Sequence, residues 1–229
     1  MTDTVRPVID GICVTIDAEA VRVSSARPLR MLSSAVLGGG FAEAHDIVNV
    51  HVDKDYDGDR PEDELAAFAA RHGAVAGAVG LMTAAETQFA ALEVAQRDGL
   101  TVAAVVSMGL SNVASAGVTP PAPPPPGTIN AIVLIEGLLA PAAMVNAVIT
   151  ATEAKALTLV TWDVRTPAGD LAAGTSTDAV VIACTGTGEA LQYAGTATTV
   201  GWLIARTVRD AVDRICREKC ARDGGRFGW

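Results

Sequence analysis

The chain has 229 residues, half of them hydrophobic but only 4% aromatic, so its core is built mainly from Ala, Val, Leu and Ile. That composition suits parallel or mixed sheets covered by Ala-rich helices. The formal net charge of -9, from 26 acids against 17 bases, argues against nucleic acid as a partner, because phosphate-backbone binding needs a basic face.

In chain order, "GICVTID" and "AVRVSS" flank "AEA" and predict a hairpin near the N-terminus. "RMLSSAVLGGGF" follows, with Gly38, Gly39 and Gly40 where the backbone turns sharply or approaches something closely. "HDIVNVHV" reads as a strand that closes in the polar run "DKDYDGDRPED". Pro61 and the acids after it start a helix that runs to Gly73. "AVAGAVGLM" and "TVAAVVSMG" read as buried strands, and "TAAETQFAALEVAQRDG" between them fits no single element type.

Residues 118–128, "VTPPAPPPPGT", form a proline-rich surface excursion, since prolines favour polyproline geometry and cannot sit inside a sheet. "INAIVLIEG" is then a strand, residues 141–157 a helix, "LTLVTWDV" and "DAVVIACT" two further strands, and residues 197–217 an amphipathic helix. The fold expected is α/β, with mixed α+β as the alternative: a single domain over 1–229. Its mixed sheet carries N-terminal hairpin strands under Ala-rich covering helices.

Cys13, Cys184, Cys216 and Cys220 form no CxxC, and Cys216 and Cys220 share a helix face far in sequence from His45, His51 and His72. No zinc site or other metal is expected, and free thiols indicate a reducing compartment. The N-terminus lacks a secretory pattern, and "AIVLIEGLLAPAAMV" is interrupted by Glu136 and Pro141. A cytoplasmic protein with no membrane partner is expected.

Five segments place small polar groups at the borders of apolar runs: "SSAVLGGGF", "SMGLSNV", "PGTIN", "TATEAKA" and "GTSTD". Strand-end loops are where α/β proteins gather ligand groups. Asn112, Asn130, Gly39, Gly40, Thr175 and Thr177 are therefore candidate substrate-binding residues. Glu153, Lys155 and Asp178 are the candidate catalytic residues, being charges set in apolar contexts.

The pair Glu153 and Lys155 is either a solvated face or a buried group needing partners, and Asp178 is the obvious partner for Lys155. His51 is a general base, a metal ligand with Asp53 or Asp55, or a strand histidine with a solvated tip. Gly174-Thr175 has the form of an autoprocessing site, but Gly127-Thr128, Gly186-Thr187 and Gly195-Thr196 share it. The chain is thus expected to stay uncut.

In order, "SSAVLGGGF", "VVSMGLSNVASAG", "PGTINAIVLIEGLL", "ATEAKALTL", "AAGTSTDAVVIAC" and "YAGTATTVGWLIARTV" resemble the adenosylcobinamide amidohydrolase family from Ser33 to Val208. The resemblance implies hydrolysis of the aminopropanol amide of adenosylcobinamide, giving adenosylcobyric acid and 1-amino-2-propanol, in corrinoid salvage for coenzyme B12. It implies a small-molecule corrinoid as partner and no cofactor, the cobalt being carried by the substrate; a homo-oligomer is compatible. "DKDYDGDRPED" and "TPPAPPPPG" match no signature of the family. The rival readings are a corrinoid or other small-molecule carrier without chemistry, and an autoprocessed threonine hydrolase acting on another amide.

Overall fold

A computed structural model describes residues 5–74, 77–122 and 127–222. Its strands are β1 (Val5–Ile9), β2 (Ile12–Ile16), β3 (Ala20–Ser33), β4 (Gly40–His51), β5 (Ala78–Thr83), β6 (Ala91–Arg97), β7 (Leu100–Met108), β8 (Val113–Ala114), β9 (Ile129–Ile135), β10 (Leu138–Leu139), β11 (Gly174–Thr175), β12 (Ala179–Cys184) and β13 (Ala190–Leu191). The helices are α1 (Pro61–Arg71), α2 (Pro141–Thr161) and α3 (Thr199–Arg222). Pairing is mixed: β12 runs parallel to β9 and β4 to β5, while the other long pairs are antiparallel.

Strand β3 is the seam. Its first half bonds to β2 and its last four residues to β12, while β4 follows its other edge along most of its length. The β3–β4 register breaks between Ser24 and Leu29, where Pro28 has no N–H to offer a ladder. A bulge of this kind bends a strand, and β3 here passes from one layer into the other.

Side-chain alternation then sorts the core into layers. From β9, Ile129, Ala131, Val133 and Ile135 face α2 and α3, while Ile132 and Leu134 face Val23, Leu29, Met31 and Ile47 of the opposite strands. On the far side Leu65, Phe68 and Ala69 of α1 cover Val48 and its neighbours. The order is helix, sheet, sheet, helices, a mixed α+β arrangement within the range expected from sequence.

The N-terminal hairpin, the helix from Pro61 and the last helix occur as expected. The unassigned stretch resolves into a 3₁₀ turn (Thr87–Phe89) and β6. β6 joins β7 through Asp98 (φ 51°) and Gly99 (φ 76°), the positive-φ pair that a two-residue hairpin turn needs.

One expected strand is overturned. "LTLVTWDV" continues α2 to Thr161 before the chain turns out. Its alternating letters suggest period two, yet Ala151, Ala154, Lys155, Thr158 and Leu159 are buried and Leu157 and Val160 are exposed, which is helical spacing. α2 is long and apolar enough to cross a bilayer, and half of it is buried inside the protein. Of the strand expected over "AVAGAVGLM", Ala78 onward is β5, and residues 75–76 lie outside the described residues. Within the proline-rich excursion, residues 123–126 lie outside the described residues.

Candidate active site

The strand-initiating ends of β9 and β12 lie side by side, because the two run parallel with Asn130 level with Ala179. Asp178 is the last residue before β12, so its side chain stands at the mouth of the sheet beside Ile129. The turn from β11 into β12 brings the Asp178 carboxylate back onto its own loop. There it accepts the Thr175 backbone N–H, at 3.1 Å to each oxygen, and the Thr175 hydroxyl. The Ile129 N–H donates from the neighbouring strand at 3.0 Å.

Lys155 completes the set. It projects from the inner face of α2 and its ammonium donates to Asp178 Oδ2. The two side chains are 9% and 14% exposed, so the ion pair is nearly withdrawn from water. Such a pair needs further hydrogen bonds to offset desolvation, and Asp178 has them from Thr175 and Ile129. Gly174 makes the approach possible: a Cβ there would collide with Asp178 Oδ2 and Lys155 Nζ.

A second polar chain runs inward between the sheets. Asn130 Nδ2 donates to Asn49 Oδ1 at 2.8 Å and to the Met82 carbonyl at 2.9 Å, and Asn49 Nδ2 donates to Ser107 Oγ at 2.8 Å. Asn49, Ser107 and Asn130 are each buried. This network holds the sheet ends in register. Thr128 and Thr177 link it to the mouth, for Thr128 Oγ1 lies 3.1 Å from Asn130 Oδ1 and 2.7 Å from the Thr177 carbonyl. Asn112 joins from the β7–β8 loop, donating through Nδ2 to Ser176 Oγ at 2.9 Å.

The structure therefore brings Asp178, Lys155, Thr175, Thr177, Asn112 and Asn130 to one end of the sheets. The Asn130 amide nitrogen is engaged by Asn49 and Met82. Glu153 is not brought in: it is exposed, two residues from the buried Lys155, and positions two apart on a helix face opposite ways.

Gly39 and Gly40 turn β3 into β4 near the same end, where Ser34 and Val180 exchange hydrogen bonds at 3.1 Å. Gly40 has φ 85°, and a Cβ on Gly39 would meet the Ala35 carbonyl at 2.5 Å. The turn accounts for both glycines. His51 points Nδ1 at the Ala85 carbonyl, 3.0 Å away. It lines a cavity of about 670 Å³ with Asp53, Asp55 and Glu64, whose walls include none of the Asp178 cluster. Among the described residues, no three His, Cys, Asp or Glu side chains gather as a metal site.

Two residues escaped the sequence-based choice of site. Thr128 and Ser176 sit inside "PGTIN" and "GTSTD", and only the pairing of those segments in space singles them out. Two cavities flank them. One, of about 310 Å³, is lined by Gly127, Ser111, Leu110, Lys54 and Phe89; the other, of about 430 Å³, by Ser111, Asn112, Ser176, Val113 and Pro120. Ser111 lines both.

A buried ammonium–carboxylate pair among hydroxyls and backbone N–H donors offers proton-transfer and charge-stabilising groups of the kind that acyl hydrolysis needs. The family model for adenosylcobinamide amidohydrolase matches residues 8–224, and the chain belongs to that family of amide-cleaving enzymes. It is 32% identical over 184 residues to the adenosylcobinamide amidohydrolase of Methanosarcina mazei, covering 76% of this chain and 84% of that one. It is 42% identical over 118 residues to the enzyme of the same name from Halobacterium salinarum, 48% of each chain.

Among solved structures, a Burkholderia sp. beta-aminopeptidase matches with a TM-score of 0.47 at 14% identity, over 88% of this chain and 79% of that one. The L-aminopeptidase D-Ala-esterase/amidase of Ochrobactrum anthropi matches at 0.45 and 11%, over 94% and 87%.

Proposed function

We propose that this chain hydrolyses the amide between the corrin propionyl side chain and aminopropanol in adenosylcobinamide, releasing adenosylcobyric acid and 1-amino-2-propanol. The reaction serves corrinoid salvage. The observation that carries the assignment of the site is the Asp178 carboxylate, held by Lys155, the Thr175 hydroxyl and two backbone N–H groups at the open end of the sheets.

Amide hydrolysis needs a nucleophile, a proton acceptor for it, a donor for the departing amine and positive charge or N–H dipoles near the oxyanion. Asp178 is the acceptor, rigidly placed by its four partners. Lys155 supplies charge beside it, and the Thr175 and Thr177 hydroxyls supply exchangeable protons. The flanking cavities, of about 310 and 430 Å³, leave space for the amide arm on either side of the mouth, with the bulk of the corrin outside. Water is the only co-reactant, so the enzyme works without a cofactor. Its four free cysteines fit a reducing cytoplasm.

Purified protein incubated with adenosylcobinamide, without nucleotide or added metal, releases 1-amino-2-propanol. Tight binding of the corrinoid with no amine released across a wide pH range would make the chain a carrier and overturn this reading.

A further inference from the structure

Four Gly-Thr pairs share the form of a self-cleaving bond, and the structure treats them differently. Gly186 and Thr187 are both exposed. Gly195 gives its carbonyl to Thr198 at the entry to α3, with Thr196 exposed. Thr175 commits its hydroxyl to Asp178. Gly127-Thr128 alone among them has both residues buried, immediately before the central strand β9.

Both ends of that peptide are clamped by one residue. The Thr177 hydroxyl donates to the Gly127 carbonyl oxygen at 2.7 Å, and the Thr177 carbonyl accepts from Thr128 Oγ1 at 2.7 Å. A donor on a carbonyl oxygen stabilises charge that develops there under attack. Gly127 has φ 151°, and a Cβ on it would meet Asn112 Oδ1 and Ser111 Oγ, each at 2.6 Å. Asn112 Oδ1 is a buried acceptor without a hydrogen-bond partner, unusual among the described residues and costly in a folded protein. Its other amide atom is taken by Ser176. An acceptor left empty against Gly127 suits a chain that later acquires a donor there.

We infer that, against the expectation from sequence, the chain cuts itself between Gly127 and Thr128. Thr128 Oγ attacks the Gly127 carbonyl carbon, the C–N bond breaks, and the hydroxyl proton goes to the departing nitrogen. The product is an ester between Gly127 and Thr128. Water then hydrolyses the ester, leaving a Gly127 carboxylate and Thr128 with a free hydroxyl and a free α-amine. One water is consumed and no other reactant is needed. The new ammonium brings a donor into the loop cluster where Asn112 Oδ1 lies unpartnered beside Gly127. Resting on the hydrolase reading above, Thr128 then supplies the nucleophile for the substrate amide, its free α-amine sharing the proton-acceptor role with Asp178.

The test is a denaturing mass spectrum of the purified full chain, with N-terminal sequencing of any fragment. Two fragments are expected, the second beginning at Thr128 and the pair together one water heavier than the intact chain. Thr128→Ser is expected to cut, Thr128→Ala to stay whole, and Thr177→Val to cut roughly a hundredfold more slowly, the order of effect of losing one oxyanion donor.

An uncut wild-type chain that releases aminopropanol overturns the proposal and leaves the hydrolase reading standing. So does a fragment beginning at another residue, or equal cutting of Thr128→Ala, which would betray a contaminating protease. Cutting at Thr128 in a protein that never releases aminopropanol supports the cleavage and removes the hydrolase reading. The wild-type measurement does not depend on whether Thr128→Ala folds.

Discussion

Lys155 and Asp178 stand 23 residues apart in sequence and share one ion pair at the mouth of the sheets. The lysine comes from the inner face of α2 and the carboxylate from the loop before β12. Neither side chain is more than 14% exposed. This pair separates two kinds of consequence, catalytic and structural, which the same variants can measure.

Asp178→Asn is expected to lower turnover by about a hundredfold or more, the scale of a general acid or base. Glu153→Gln is expected to turn over at the wild-type rate, since Glu153 is exposed. Single-turnover rates on adenosylcobinamide, run beside thermal melts, check both. Equal losses in the two variants would show that exposure misidentifies the catalytic charge.

Lys155→Met removes the ammonium and keeps the stem. The uncompensated carboxylate should cost roughly 3 kcal/mol of folding free energy, as for other broken buried pairs. Urea denaturation measures it. A change within about 0.5 kcal/mol, the scale of surface substitutions, would mean that water reaches Asp178 freely.

Gly174→Ala puts a methyl group where Asp178 Oδ2 and Lys155 Nζ already sit. The pair must separate, so activity should fall by about tenfold or more, on the scale by which small misplacements impair catalysis. Kinetics against a circular dichroism spectrum distinguish this from unfolding.

The buried thiols predict an alkaline limit to stability. Burial pushes Cys184 and Cys216 up to about 12 from the ordinary 9.0. Between those values the unfolded chain has lost protons that the folded chain keeps. The thiol contribution is thus complete below about pH 9 and declines as pH rises towards 12, by about 1.4 kcal/mol per pH unit per thiol. Denaturation midpoints between pH 8 and 10.5 should show this decline, and Cys184→Ala with Cys216→Ala should flatten it. At pH 8 a thiol reagent should label the half-buried Cys13 and Cys220 well before the other two.

Much of the fold is legible in the letters. Pro61 with its following acids starts a helix because local chemistry suffices there, and buried strands such as "INAIVLIEG" announce themselves by composition. "LTLVTWDV" misleads because Thr, Val and Leu satisfy either period. What decides it is α3 and β12 packing against α2, which rewards burial of Thr158 and Leu159 on one face. Tertiary packing overrides the weak local preference of β-branched residues.

The candidate site divides in the same way. Sequence by itself singled out Lys155 and Asp178, as charges set in apolar runs, and named the hydroxyl-rich segments around them. Only the tertiary structure decided which charges meet, because α2 turns Lys155 inward and leaves Glu153 outside. Only the parallel pairing of β9 with β12 sets Thr128 against Thr177 and Ile129 against Asp178. Hydrogen bonds act over about 3 Å, whereas the residues that make them here lie some fifty apart along the chain. Such contacts exist only after the sheets have formed.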